Sequence, residues 1–185
     1  MAKVAIVYHS GFGHTKVLAE AVAKGAASVA GTQVDLVPVE EAAAKAATID
    51  AADAIIFGSP TYMGNVSGPF KTWADTTAKT WFGQGWKDKL AAGFTNSSGP
   101  SGDKFNTLVT RWTLAMQHSM IWGSQGLMVG AKDGDLTLNR LSAYGGTMAT
   151  SENAAPGENN PSKDDQASGA ALGKRVAEFA KKLKG

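Results

Sequence analysis

The amino end constrains this chain most. Lys3 to Tyr8 is a nearly unbroken apolar run rich in Val and Ile, and Ser10-Gly11-Phe12-Gly13-His14-Thr15 follows at once. A strand without polar alternation is buried on both faces, as in a parallel sheet. Thr15 to Val29 then carries a helical pattern, with Val17, Leu18, Ala21, Val22 and Gly25 on one side. Gly31 ends that helix.

The strand-turn-helix succession repeats. Gln33 to Val39 reads as a second strand and the Ala-rich Glu40 to Ala47 as a short helix. Ala54 to Phe57 is a third strand, closed by Gly58-Ser59-Pro60. Ser67 to Thr77 reads as a helix with Pro69 in its first turn. Leu90 to Thr95 is a fourth strand, Phe105 to His118 a helix, and Ser119 to Trp122 begins a fifth strand. Gly123 to Pro161 reads as one long irregular segment, of a length that is usually functional or disordered. Ser162 to Lys184 is an amphipathic closing helix, with Ser162 as its cap and Asp164 and Asp165 in its first turn. Alternating strands and helices predict an α/β fold with a parallel sheet covered on both faces. A chain of 185 residues with no repeat or linker fits a single domain, residues 1–185.

Composition narrows the chemistry. The chain has no cysteine, which excludes disulfides, thiolate metal sites and thiol nucleophiles. Redox chemistry then requires a bound cofactor. The three histidines are dispersed, without metal-ligand spacing, so no metal is expected. No apolar run is long enough to cross a bilayer, and the amino end runs straight into the first strand, so a cytoplasmic protein without membrane association is expected. Net charge is +2. The cluster Lys174, Arg175, Lys181, Lys182 and Lys184 reads as a solvated helix face, not a nucleic-acid site.

Ligands of an open parallel sheet bind outside the carboxyl ends of its strands. Three loops there, 10–15, 58–65 and 96–102, are rich in Gly, Ser, Thr and Asn. Gly11 and Gly13 let backbone amides approach a phosphate, Ser10 and Thr15 add hydroxyls, and a helix start adds partial positive charge. The spacing matches neither the NTPase P-loop nor the dinucleotide fingerprint. Tyr62 and Met63, between glycines, suit a flat heteroaromatic ring. Asn96 to Gly102 offers donors for a polar ring edge. Each loop alone also reads as a structural turn; their common place on one sheet edge joins them. Outside them, His9 reads as structural, Trp73, Trp86, Trp112 and Trp122 as core or interface, and Asp133-Gly134-Asp135 as a turn.

The motif at 10–15, together with Ala54-Ile55-Ile56-Phe57-Gly58, Pro60-Thr61, Gly64-Asn65, Ser67-Gly68 and Lys89-Leu90-Ala91, resembles flavodoxin-like proteins. It is most similar to the flavin-dependent NAD(P)H:quinone oxidoreductases of the WrbA type. The resemblance implies a flavodoxin-like three-layer sandwich with a five-stranded parallel sheet in the order 2-1-3-4-5. It implies flavin mononucleotide (FMN) as cofactor, NAD(P)H as co-substrate, a quinone as acceptor, and a homodimer or homotetramer. By position, Ser10, Phe12, Gly13, His14 and Thr15 would hold the FMN phosphate. Pro60, Thr61, Tyr62, Met63 and Gly64 would line the isoalloxazine, and Asn96, Ser97, Ser98, Gly99 and Ser101 its polar edge and ribityl chain. His118 would lie beside the flavin as a helper, and Trp81 would line the substrate pocket, often across a subunit boundary. Two departures stand out. The family's extra segment between the second and third strands is missing, and Tyr62-Met63 replaces its usual Arg-Phe pair. A one-electron flavodoxin carrier and a non-catalytic FMN-binding or regulatory protein are the alternatives. Carriers are typically strongly acidic, which this chain is not.

Overall fold

Alternate residues of the central strands enter two separate cores. In β1 (Ala2–Tyr8), Val4, Ile6 and Tyr8 face one core and Ala5 and Val7 the other. The same alternation runs through β3 (Ala54–Tyr62) and β5 (Leu90–Ser97): Ile56 and Phe94 face the first core, Ile55, Phe57 and Ala91 the second. Period-two side chains with both faces apolar require a covering layer on each side. The computed structural model describes residues 1–185 and shows those layers. Helices α1 (His14–Ala27) and α6 (Lys163–Lys184) cover the first face through Leu18, Val22, Leu172 and Val176. On the second face α2 (Ala46–Asp50), α3 (Gly68–Thr76) and α5 (Lys104–Gln117) contribute Ile49, Phe70, Trp73 and Ala115. The short α4 (Ala78–Phe82) follows α3 and buries none of its residues.

The strands run in the order β2 (Thr32–Pro38), β1, β3, β5, β6 (Ile121–Trp122), all parallel. This is the expected 2-1-3-4-5 order once β4 (Asn65–Val66) is set apart as the antiparallel return arm of a hairpin with β3. The fifth position is split. β6 pairs with Leu90 and Ala91, whereas β9 (Thr147–Thr150) pairs with Phe94 to Ser97. Because β3 occupies the other edge of β5 from Leu90 to Asn96, β6 and β9 share one edge. Between them the chain makes a hairpin of β7 (Ala131–Asp133) and β8 (Leu136–Leu138).

Two sequence expectations are corrected here. Gly123 to Pro161 is not irregular throughout: it holds three strands, each too short to show periodicity. Glu40 to Ala47 is mostly turn, and the helix begins only at Ala46. The Val39 amide still bonds Tyr8 O of β1 (2.8 Å), and the chain then turns through Glu41 N to Pro38 O (2.9 Å) and Ala42 N to Val39 O (3.2 Å), bonds of single turns and not of a regular helix.

Helices α1 and α6 meet backbone to backbone. A Cβ on Gly25 would fall on the Ala170 carbonyl, and one on Gly173 would fall on the Val22 carbonyl. Ser162 caps α6 as expected, its Oγ accepting the Asp165 amide at 3.2 Å. The carboxyl ends of β1, β3, β5 and β9 therefore open on one edge, where α1 and α5 begin.

Candidate functional site

The start of α1 forms one end of a cleft on that edge. Gly13 precedes the helix with φ 91°, a left-handed conformation suited to glycine. A helix start leaves its first amides without intrahelical partners. Ser10 Oγ accepts the Lys16 amide at 3.0 Å and the Gly13 carbonyl accepts that of Val17 at 3.1 Å. The amides of His14 and Thr15 are left for a ligand, as helix N-termini commonly offer them to phosphate. Gly11 is small for a visible reason: a Cβ there would lie 2.7 Å from the Tyr62 hydroxyl.

The cleft has a volume of about 400 Å³, within the range of small-molecule sites. Phe12, His14 and Thr15 wall it from the first loop, Pro60, Thr61 and Tyr62 from the second, and Asn96, Ser97 and Ser98 from the third. Ser10 and Gly13 belong to the first loop without lining the cleft. Pro60 to Tyr62 are strand residues, since β3 continues through them before turning at Met63 (φ 45°) and Gly64 (φ 78°). Both positive φ values are those a two-residue hairpin turn demands. Asn106 Nδ2 donates to the Gly64 carbonyl at 2.7 Å, and Thr110 Oγ1 to Asn65 Oδ1 at 2.7 Å, so α5 fixes this turn. Met63 is fully exposed outside the cleft. Gly99 and Ser101 lie in the third loop without lining it.

Hydroxyl direction can be worked out at the floor. Thr95 Oγ1 donates its one proton to the Ser59 carbonyl at 2.8 Å. The 2.8 Å contact between Thr61 and Thr95 must then carry the Thr61 proton, which leaves Thr61 Oγ1 an acceptor. Asn96 Nδ2 donates to Ser151 Oγ at 2.8 Å, while its buried Oδ1 has no partner. No Lys or Arg lines the cleft. One lies just behind it: the buried Lys104 ammonium donates to the Gly99 carbonyl and pins the third loop. Burial pulls its pKa down to about 8; Asp165 opposes that shift and Arg140 adds to it.

Two expected site residues are elsewhere in the chain. α5 starts at the carboxyl edge and runs antiparallel to the strands, so His118 at its end reaches the amino edge beside the start of β5. There it shares a 2.8 Å hydrogen bond with Thr77 and lies 4.3 Å from the Trp86 ring centroid. Burial holds its pKa below the ordinary histidine value, with Asp50 opposing. A flavin-adjacent role within one chain is corrected on this geometry. Trp81, on α4, sits at the same amino edge, half-exposed next to the exposed Phe82.

The sequence reading missed Ser151, Glu152, Asn153, Ala154 and Pro156, which complete the cleft wall. They follow β9; had Thr147 to Thr150 been read as a strand, the segment after it would have fallen on the same edge. His14 anchors it, its Nε2 lying 2.8 Å from the Ala154 carbonyl. Pro156 also explains Gly13, where a Cβ would come within 2.7 Å of its ring.

Fold and cleft together define an α/β protein of the flavodoxin kind. Residues 3–133 match the family described as NADPH-dependent FMN reductase, and the chain belongs to that family. FMN is its cofactor and NAD(P)H its reductant. Flavodoxin FldP of Pseudomonas aeruginosa (strain UCBPP-PA14) is 40% identical over 170 residues, 89% of each chain. A flavodoxin, WrbA-like protein from Agrobacterium tumefaciens superposes with a TM-score of 0.79 at 39% identity, over 98% of this chain and 99% of that one. A flavodoxin from the domain Archaea shares the fold, with a TM-score of 0.69 at 20% identity, over 97% and 99% of the two chains.

The residues present fit FMN. The free amides and Thr15 hydroxyl at the helix start suit its phosphate. The unpartnered Asn96 Oδ1 suits a ring N–H, and Tyr62 with Phe12, 6.3 Å apart between centroids, offers aromatic surface.

Proposed function

We propose that the chain, acting as one FMN-binding domain over residues 1–185, transfers two electrons from NAD(P)H to a quinone. When bound, FMN would supply the redox chemistry, taking a hydride from NAD(P)H and passing its two electrons and one proton to a quinone, which takes one further proton to become the quinol. The observation that carries the reading is the four-walled cleft, with free amides at one end and a hydroxyl and amide floor. The chain's residues have binding and orienting parts. Ser10, Gly13, His14 and Thr15 hold the phosphate through the helix start. Pro60, Thr61 and Tyr62 flank the ring, with Met63 and Gly64 forming the turn that closes this wall, and Asn96, Ser97 and Ser98 receive its polar edge and ribityl chain, with Gly99 and Ser101 in the same loop outside the cleft. No side chain acts as a nucleophile. Tyr62, partly exposed at the cleft, leaves an open side where nicotinamide and quinone can alternate.

Trp81 lies at the amino edge, so it can line this pocket only in a second copy; we therefore read the protein as a homodimer or homotetramer working in the cytoplasm. No helix is long and apolar enough to cross a membrane.

The experiment is anaerobic spectrophotometry of the purified protein. Yellow flavin absorbance should bleach on adding NADPH alone and return on adding benzoquinone, with ping-pong steady-state patterns. Intersecting patterns of a ternary complex would overturn the alternating scheme. A second reading is favoured by the name of the 40% identical relative: a one-electron carrier. Its signature is flavin that NADPH does not bleach without a reductase protein. The net charge of +2 weighs against it, because docking to basic redox partners favours an acidic carrier.

A further inference from the structure

With Lys104, Arg111 is one of two cationic side chains fully inside the molecule. It sits on α5 against the sheet, 0% exposed. Its Nη1 makes a single long contact, 3.4 Å to the Ser59 carbonyl. Its Nε and Nη2 have no partner, nor does the buried Thr107 hydroxyl one helical turn earlier. No carboxylate faces it, and burial alone draws its pKa down to about 9, so it stays charged at neutral pH. The side chain is built in: Gly93 of β5 has no Cβ, and one placed there would lie 3.2 Å from Arg111 Nε.

A buried cation without a counter-ion costs stability unless something repays it. The repayment has an address. The Ser59 carbonyl that Arg111 approaches also accepts from Thr95, and Thr95 bonds Thr61 in the cleft wall. These three hydrogen bonds connect Arg111 to the wall of a cleft lined by no Lys or Arg. Lys104, two turns earlier on α5, adds a second buried cation behind the third loop. Reduction of bound FMN by a hydride would add two electrons and one proton, and so one negative charge, to its neutral ring system.

We propose that Arg111 is an electrostatic positioning residue: an unpaired buried cation behind the cleft that favours reduced over oxidised FMN. The inference rests on FMN occupying this cleft. A unit charge roughly 10 Å from another at the effective dielectric of a protein changes an equilibrium about tenfold.

The test compares wild type with Arg111→Met and Arg111→Gln, measuring dissociation constants for oxidised and for reduced FMN and the midpoint potential of the bound flavin. Loss of the charge should weaken reduced FMN about tenfold and leave oxidised FMN nearly unchanged. That difference lowers the two-electron potential by about 30 mV. A role in merely holding the Ser59 carbonyl would weaken both forms equally and leave the potential unmoved, which overturns the proposal. If neither variant folds, wild type alone decides: its bound potential should lie at or above that of free FMN, and a lower value overturns the proposal. Failure of the underlying reading looks different, because Thr15→Val would then leave FMN affinity unchanged.

Discussion

Thr15 has the shortest route from sequence to function. Its side chain is buried at the first turn of α1 and lines the cleft, where a phosphate would meet it. A hydrogen bond to a charged group contributes about 1.5–3 kcal/mol. Thr15→Val keeps the shape and removes the hydroxyl, so FMN affinity should fall by roughly ten- to a hundredfold in calorimetric titration, with thermal stability little changed. His118 tells the opposite story. Its protonation is disfavoured in the folded state by burial. The sign follows from linkage: with a depressed folded pKa, the unfolded chain binds the proton first, so stability is lost as pH falls below about 6.5. Above that range both states are neutral and nothing changes. His118→Gln should flatten this part of the curve of melting temperature against pH and leave flavin binding intact. An unchanged acid slope would show that other groups cause it. The sequence made His118 look chemical because a family histidine stands there. Only the direction of α5 shows that it ends at the far edge.

At the scale of elements, the long ones were legible and the short ones were not. β1, β3 and β5 announced themselves as apolar runs, and α6 by its cap and first-turn acids. β9 has four residues, Thr147 to Thr150, and its strand character comes only from pairing with Phe94 to Ser97. No local pattern encodes a pairing between segments some fifty residues apart in the chain. The cleft wall at 151–156 was missed for that reason, although the loops at 10–15, 58–65 and 96–102 were found. The glycines of α1 and α6 belong at this scale too. Gly173 reads in the sequence as a weak spot in a helix, yet it is where the Val22 backbone passes. Gly173→Ala gains helix propensity but forces the two helices apart, and overpacking of this kind typically costs about 1–3 kcal/mol. For a chain of this size each kcal/mol lowers the melting temperature by roughly 2–4 °C. Calorimetry should show a net fall; a rise would mean that the helices separate freely.

At the scale of the whole molecule the chain has two functional-looking ends. The cleft occupies the carboxyl edge of the sheet, while Trp81 and Phe82, 6.5 Å apart between centroids, stand exposed at the amino edge. One chain cannot bring these ends together, because α5 and the full length of β5 separate them. Exposed aromatic pairs favour burial in an interface. If Trp81 completes the quinone pocket of a neighbouring copy, assembly and turnover are coupled. Sedimentation should show the wild type associating as concentration rises, and kcat/KM for quinone per protomer should climb over the same range. FMN affinity should stay constant across it, since no phosphate or ring contact comes from Trp81. Trp81→Ala should flatten the climb and raise KM for quinone while the rate of flavin bleaching by NADPH stays near wild type. Concentration-independent turnover in both proteins would instead place the whole reaction within a single chain, and would leave the aromatic pair at the amino edge outside catalysis.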